Sequence, residues 1–182
     1  MSILFKKKKW DKQPTAPAAV LLASDGTHGF GTRAVARAAA LAGSDPVALL
    51  MIAKIYGTRF GMPVPGLMPT KQEIQERLAW LRGAVEQLER KGLTVDGQLG
   101  QTRQAARTIV RVARARGVRI VVIESYERPR WRRLIEGDAA TSVARSLRRH
   151  GIEVEVLPVT VAAATRGPSR QGRSTSAASS KP

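Results

Sequence analysis

Cysteine is absent from the 182 residues, and histidine occurs only as His28 and His150. The first absence excludes a disulfide frame, a thiolate nucleophile and a cysteine-ligated metal, and it suits a reducing cytoplasm. The second leaves no histidine pair with metal-ligand spacing, so no metal site is expected. Aromatic residues make up only 4% of the chain. A core must therefore be built from Ala, Val, Leu and Ile. No apolar run reaches the ~18 residues of a membrane-spanning helix. The short apolar stretch after KKKKWDKQP is preceded by Pro14 and Pro17, which argues against a signal peptide.

Acid is scarce as well. Lys and Arg number 31 against 14 Asp and Glu, a net charge of +17. Residues 1–17 carry five lysines against Asp11, and residues 161–182 carry Arg166, Arg170, Arg173 and Lys181 with no acid. Each end thus contributes +4, which leaves +9 for residues 18–160. Such a balance favours anionic partners: nucleic acid, ribosome or an anionic membrane surface. The end segment AAATRGPSRQGRSTSAASSKP has almost no apolar bulk, and its composition predicts a disordered basic tail. Residues 1–17 read as a basic flexible leader. One folded unit over 18–160 remains, a usual size for a single domain.

Inside that unit apolar runs alternate with helical patterns. AAVLLAS (18–24), PVALLMIAKIY (46–56), LTVDGQLG (93–100), VRIVVI (118–123) and IEVEVLPV (152–159) read as strands. Helices are predicted over 31–43, 71–92, 101–117 and 137–151, each closed by a glycine. In the second, Ile74, Leu78, Leu81, Val85 and Leu88 share one face, and Thr70 with Glu73 forms a capping-box signature. In the third, Ala106, Ile109, Val110 and Ala113 share a side. The β-α alternation predicts an α/β fold: an open five-stranded parallel sheet with helices on both faces, Rossmann-like, with 152–159 as an edge strand. Ligands of such sheets bind at the carboxyl ends of the strands, which singles out residues 24–31 and 124–138.

SDGTHGFG (24–31) sets Asp25, Gly26 and Thr27 at the end of the first strand. Its glycines permit a sharp turn and close backbone approach, but their spacing is not the GxGxxG dinucleotide fingerprint. Asp25 could accept from an adenine amino group or ribose hydroxyl, or serve as a turn residue. Taken in order, VLLASDGT, the Ala-rich helix, the long amphipathic helix and GQTRQAARTIVRVARARGVRIVVI resemble the universal stress protein family over about 18–160. The resemblance implies an adenine-nucleotide site of which Asp25, Gly26 and Thr27 form one side.

ATP-binding members of that family carry a glycine, two residues, a second glycine, nine residues, then glycine and a hydroxyl residue. Here Glu124 and Glu127 occupy the first two glycine positions, and nine residues later come Gly137 and Asp138. The length is kept while the chemistry changes. Glutamate side chains obstruct close approach, and three carboxylates repel phosphate. Asp138 would itself occupy the positive field of a helix N-terminus. Arg128, Arg130, Arg132 and Arg133 in the same segment could neutralise the acids or bind an anion, and Trp131 among them resembles a stacking patch. ATP or another adenine nucleotide is therefore expected to bind weakly or not at all.

Arg103, Arg107, Arg111 and Arg114 recur every three or four residues, so they form one stripe beside the apolar face of the third helix. Such a stripe could track a phosphate backbone, and it is equally what a solvated helix face looks like. No Ser/His/Asp constellation is present, and only Glu124 and Glu127 form a close acidic pair at a ligand-binding position, so no catalytic residues are assigned. The expectation is a non-enzymatic regulatory protein of the universal stress type. The alternative is a basic accessory protein docking on RNA, ribosome or membrane through its tails and arginine stripe. Family members commonly dimerise through the last strand, and IEVEVLPV has the edge pattern for a homodimer.

Overall fold

Five-residue and longer runs with no exposed side chain can only be strands covered on both faces. VLLAS forms β1 (Val20–Ser24), buried throughout, and VALLMIAK forms β2 (Val47–Lys54), buried to its last residue. Around them stand α1 (Thr32–Ala42), α2 (Lys71–Glu89), β5 (Val95–Thr102), α3 (Ala105–Arg116), β6 (Ile120–Tyr126), α4 (Ala139–Arg148) and β7 (Glu153–Val159). A small hairpin of β3 (Thr58–Arg59) and β4 (Met62–Pro63) lies between β2 and α2. The structure is a computed structural model that describes residues 16–55, 58–59, 62–63, 68–126 and 139–159. Glu127, Arg128, Arg130, Trp131, Arg132, Arg133, Gly137 and Asp138 lie outside the described residues, as do residues 1–15 and 160–182.

The main sheet has five strands in the order β5-β2-β1-β6-β7, and every pairing is parallel. The predicted open parallel sheet is therefore observed, with the last strand at an edge. From β1 the chain winds outward through β2 to β5 and then crosses back to β6 and β7. That reversal divides the helices. One buried cluster joins Val35, Ala38, Leu81 and Leu88 of α1 and α2 to Leu22, Leu49 and Val122. The other joins Ile109, Val112, Val143 and Leu147 of α3 and α4 to Leu21, Leu50 and Val121.

Several boundaries differ from the sequence reading. The third major strand starts later and runs to Thr102, because it pairs with β2 as far as Lys54. The third helix accordingly begins at Ala105 rather than 101. β6 extends to Tyr126, because β7 runs beside it and pairs Glu124 with Leu157. Glu124 thus belongs to the strand and not to the loop after it. In β7, Val156 is 39% exposed while Leu157 is buried. Both sheet faces are covered, so Ile152 and Val154 pack toward α3 and α4 and Leu157 toward α1 and α2.

The α2 capping box forms as predicted. Glu73 N–H donates to Thr70 Oγ1 at 3.2 Å, and Thr70 N–H donates to Glu73 Oε2 at 2.7 Å. Leu81, Val85 and Leu88 are buried, but Ile74 and Leu78 are only half-buried. The first half of α2 reaches beyond the sheet face and lies over the loop that follows β1.

Candidate functional site

The winding direction reverses between β1 and β6, so the crevice beyond their carboxyl ends is the topological switch point. The loop after β1 enters it through a tight turn. Gly26 has φ +80°, and a Cβ there would lie 1.5 Å from the Ile52 carbonyl oxygen. Only glycine fits both the left-handed conformation and that approach. Ser24 Oγ accepts from Gly26 N–H at 3.2 Å and donates to the His28 carbonyl at 2.9 Å. Thr27 N–H donates to Asp25 Oδ1 at 3.0 Å, so the aspartate organises its own turn.

The other oxygen of Asp25 accepts from Lys54 Nζ at 2.8 Å, at the carboxyl end of β2. Burial acts to raise the Asp25 pKa. The hydrogen bond and charge of Lys54, joined by Thr27, outweigh it and hold the carboxyl below its ordinary value. Above the turn, Arg77 of α2 donates through Nε to the Gly26 carbonyl at 3.1 Å. A Cβ on Gly29 would sit 3.0 Å from the Trp80 ring, so the indole rests directly on that glycine.

The opposite wall is set by Glu124. α1 has no acidic residue in its first turn, and its N-cap, Gly31, offers no side chain. The orphan donors of a helix start need an acceptor, and the positive end of the helix favours an anion. β6 supplies one: Gly31 N–H donates to Glu124 Oε2 at 3.0 Å, across 93 residues of sequence. A Cβ on Gly31 would lie 2.3 Å from Glu124 Oε1, so the carboxylate packs where a side chain would otherwise stand. Burial raises the Glu124 pKa above its ordinary value, while the Gly31 hydrogen bond and the charge of His28 act in the opposite direction.

The structure therefore brings together Asp25, Gly26, Thr27 and Glu124, and it makes Glu124 an occupant of the helix start as well as an obstruction. Phosphate, like the carboxylate, is an anion that a helix N-terminus and its backbone N–H groups hold. Lys54, Arg77 and Trp80 were not identified from sequence. Lys54 carries one signal, a single charge closing an otherwise apolar strand, whereas nothing marks Arg77 or Trp80 within an amphipathic helix.

Arg107, Arg111 and Arg114 are exposed on α3, on the other sheet face from α1 and α2, whereas Arg103, also exposed, precedes the helix in the turn after β5, so the expected stripe holds three arginines rather than four. They are not part of the Asp25–Glu124 crevice. Among the described residues no group of three or more His, Asp or Glu is arranged to hold a metal ion. No helix among them is long and apolar enough to cross a membrane.

No family model matches the chain, and no curated protein sequence does. Solved structures do share its fold. A universal stress family protein from Burkholderia pseudomallei superposes with a TM-score of 0.53 at 16% identity, over 78% of this chain and 96% of that one. The universal stress protein from Archaeoglobus fulgidus in complex with dAMP gives 0.51 at 18% identity, over 79% and 98%. A universal stress protein in complex with cAMP gives 0.53 at 14% identity, over 79% and 98%. The fold of this chain is that of the universal stress proteins.

Proposed function

We propose that this chain is a regulatory protein of the universal stress type, without enzymatic activity, in which Glu124 holds the position that a nucleotide phosphate would take. The observation that carries this reading is the 3.0 Å hydrogen bond from Gly31 N–H to the Glu124 carboxylate at an α1 start that has no acid of its own. Two of the similar structures are complexes with adenine nucleotides, dAMP and cAMP. In this chain the corresponding Asp-Gly-Thr turn spends its carboxylate on Lys54 and its own backbone. A ligand reaching for Asp25 competes with an ion pair whose two partners are mostly shielded from water. The protein acts through other macromolecules in this reading, from the cytoplasm, with at most a weakly held adenine nucleotide.

Calorimetric titration with ATP, AMP and cyclic AMP at physiological salt tests this. The wild-type protein is expected to give no binding at micromolar nucleotide, and micromolar ATP affinity overturns the reading. A variant combining E124G and E127G restores the two glycines and frees the Gly31 donor. Hydrogen bonds to charged groups contribute about 1.5–3 kcal/mol, so ATP affinity should rise at least about tenfold. No gain in that variant means that the carboxylates are not what keeps nucleotide out.

A further inference from the structure

α3 and α4 pack side by side on one sheet face, and a groove of about 660 Å³ runs between them. Ala106 and Val110 form its floor and Arg107, Arg111 and Arg114 its basic side, with Ala115 at the rim beyond the arginines and Ser146 of α4 across from them. The arginines come from one rigid helix, four and three residues apart, so their stems rise about 6 Å and then about 4.5 Å along the axis. Among the described residues neither Arg107 nor Arg114 has an ion-pair partner. The feature is thus a small-residue trough with one strongly cationic wall.

We propose that this groove docks an acidic amphipathic helix of a partner protein, its apolar face on Ala106 and Val110 and its carboxylates on the arginine wall. Three properties select that occupant. Small floor residues let a third helix approach α3 and α4 at the ~8–10 Å separation of packed helices. Carboxylates at positions i and i+4 of a helix repeat about every 6 Å, in step with the arginines, and guanidinium–carboxylate pairs are the strong, geometrically specific kind. An apolar floor without an aromatic ring offers a nucleic acid neither a stacking platform nor a reason to exclude water, whereas a leucine-bearing helix gains from both burial and charge. The chain itself does not supply the occupant from its ends: residues 1–15 and 160–182 hold nine Lys and Arg and a single acid, Asp11.

The test uses the full chain and a fluorescent synthetic peptide about four helical turns long. The peptide carries leucines four residues apart with glutamates beside them, and a single-stranded oligouridylate serves as the competing polyanion. Saturable anisotropy is expected with the peptide. Charge reversal in R107E/R114E, at two exposed positions, should weaken binding at least about tenfold. Replacing half-buried Ala106 by Gln leaves the charge unchanged and roughens the floor, and it should weaken peptide binding about tenfold as well. Absence of peptide binding overturns the proposal, as does peptide binding indifferent to both variants. If R107E/R114E abolishes binding while A106Q has no effect and oligouridylate displaces the peptide, the groove is a phosphate-tracking surface and the proposal fails.

Discussion

Two carboxylates at the carboxyl ends of neighbouring strands, Asp25 just after β1 and Glu124 within β6, have opposite acid–base behaviour. Glu124 has a folded pKa raised by burial, so ionising it costs more in the folded state than in the unfolded chain. Its contribution to stability is fully present below the ordinary glutamate range and is lost as pH rises through the folded value. Asp25 is the reverse: Lys54 and Thr27 hold its carboxyl down against burial, so its contribution is present at neutral pH and lost on acidification. The variant E124Q keeps an acceptor for Gly31 N–H and cannot ionise. Urea unfolding as a function of pH should find it gaining on wild type as pH rises from the acid range to neutrality. A constant difference at all pH values would show that Glu124 does not titrate in a desolvated site. Glu124 and Glu127 could be singled out from sequence because the family spacing is kept around them. Lys54 could not be paired with Asp25, since that contact depends on the β1–β2 register, which sets Ser24 beside Met51.

At the scale of the element, α3 carries four arginines, three of them outward and one inward. Arg116 is 2% exposed; Nη2 donates to Asp96 Oδ2 of β5 at 2.5 Å, Nη1 donates to the Ala16 carbonyl at 3.3 Å, and Nε has no hydrogen-bond partner among the described residues. It ties the end of α3 to an edge strand and to the segment entering the domain. Removing the acid in D96A leaves a buried cation uncompensated and should cost about 2–3 kcal/mol, less than the ~3–5 typical of a fully buried pair because water reaches Asp96. Replacing both partners in D96A/R116M should recover most of that loss, since an apolar side chain of similar length fills the site without a charge. Chemical denaturation of the two variants checks this, and equal losses in both would rule it out. The inward arginine was detectable: it lies three residues after Ala113 and seven after Ile109, on the buried face. Its basic neighbours conceal it, because composition alone does not distinguish a core arginine from a surface one. Helix ends were easier to read than strand ends, since a glycine or a capping box is local and a strand stops where its neighbour does.

The architecture of the whole molecule was the most legible part. Strands buried on both faces leave continuous apolar runs, and the helices between them fix parallel pairing. The winding reversal and the two core clusters follow from strand order, which periodicity does not encode. Among the described residues no strand lies beside the outer edge of β7, and Glu153, Val156 and Pro158 on that strand are exposed. Antiparallel pairing with a second copy would cover this edge isologously, with Pro158 limiting its length. Light scattering should therefore give a dimer mass. V156K places like charges near the twofold axis and should weaken the dimer about tenfold, or roughly 1.4 kcal/mol. A monomer mass for wild type at micromolar concentration removes the dimer.

The carboxylate resting on Gly31 also has a genetic side. Both glutamate codons become glycine codons by changing their second base alone. The residue that fills the start of α1 is thus a single mutational step from the residue that would empty it. A lineage could cross in either direction without rebuilding the loop, the sheet or the helix around it.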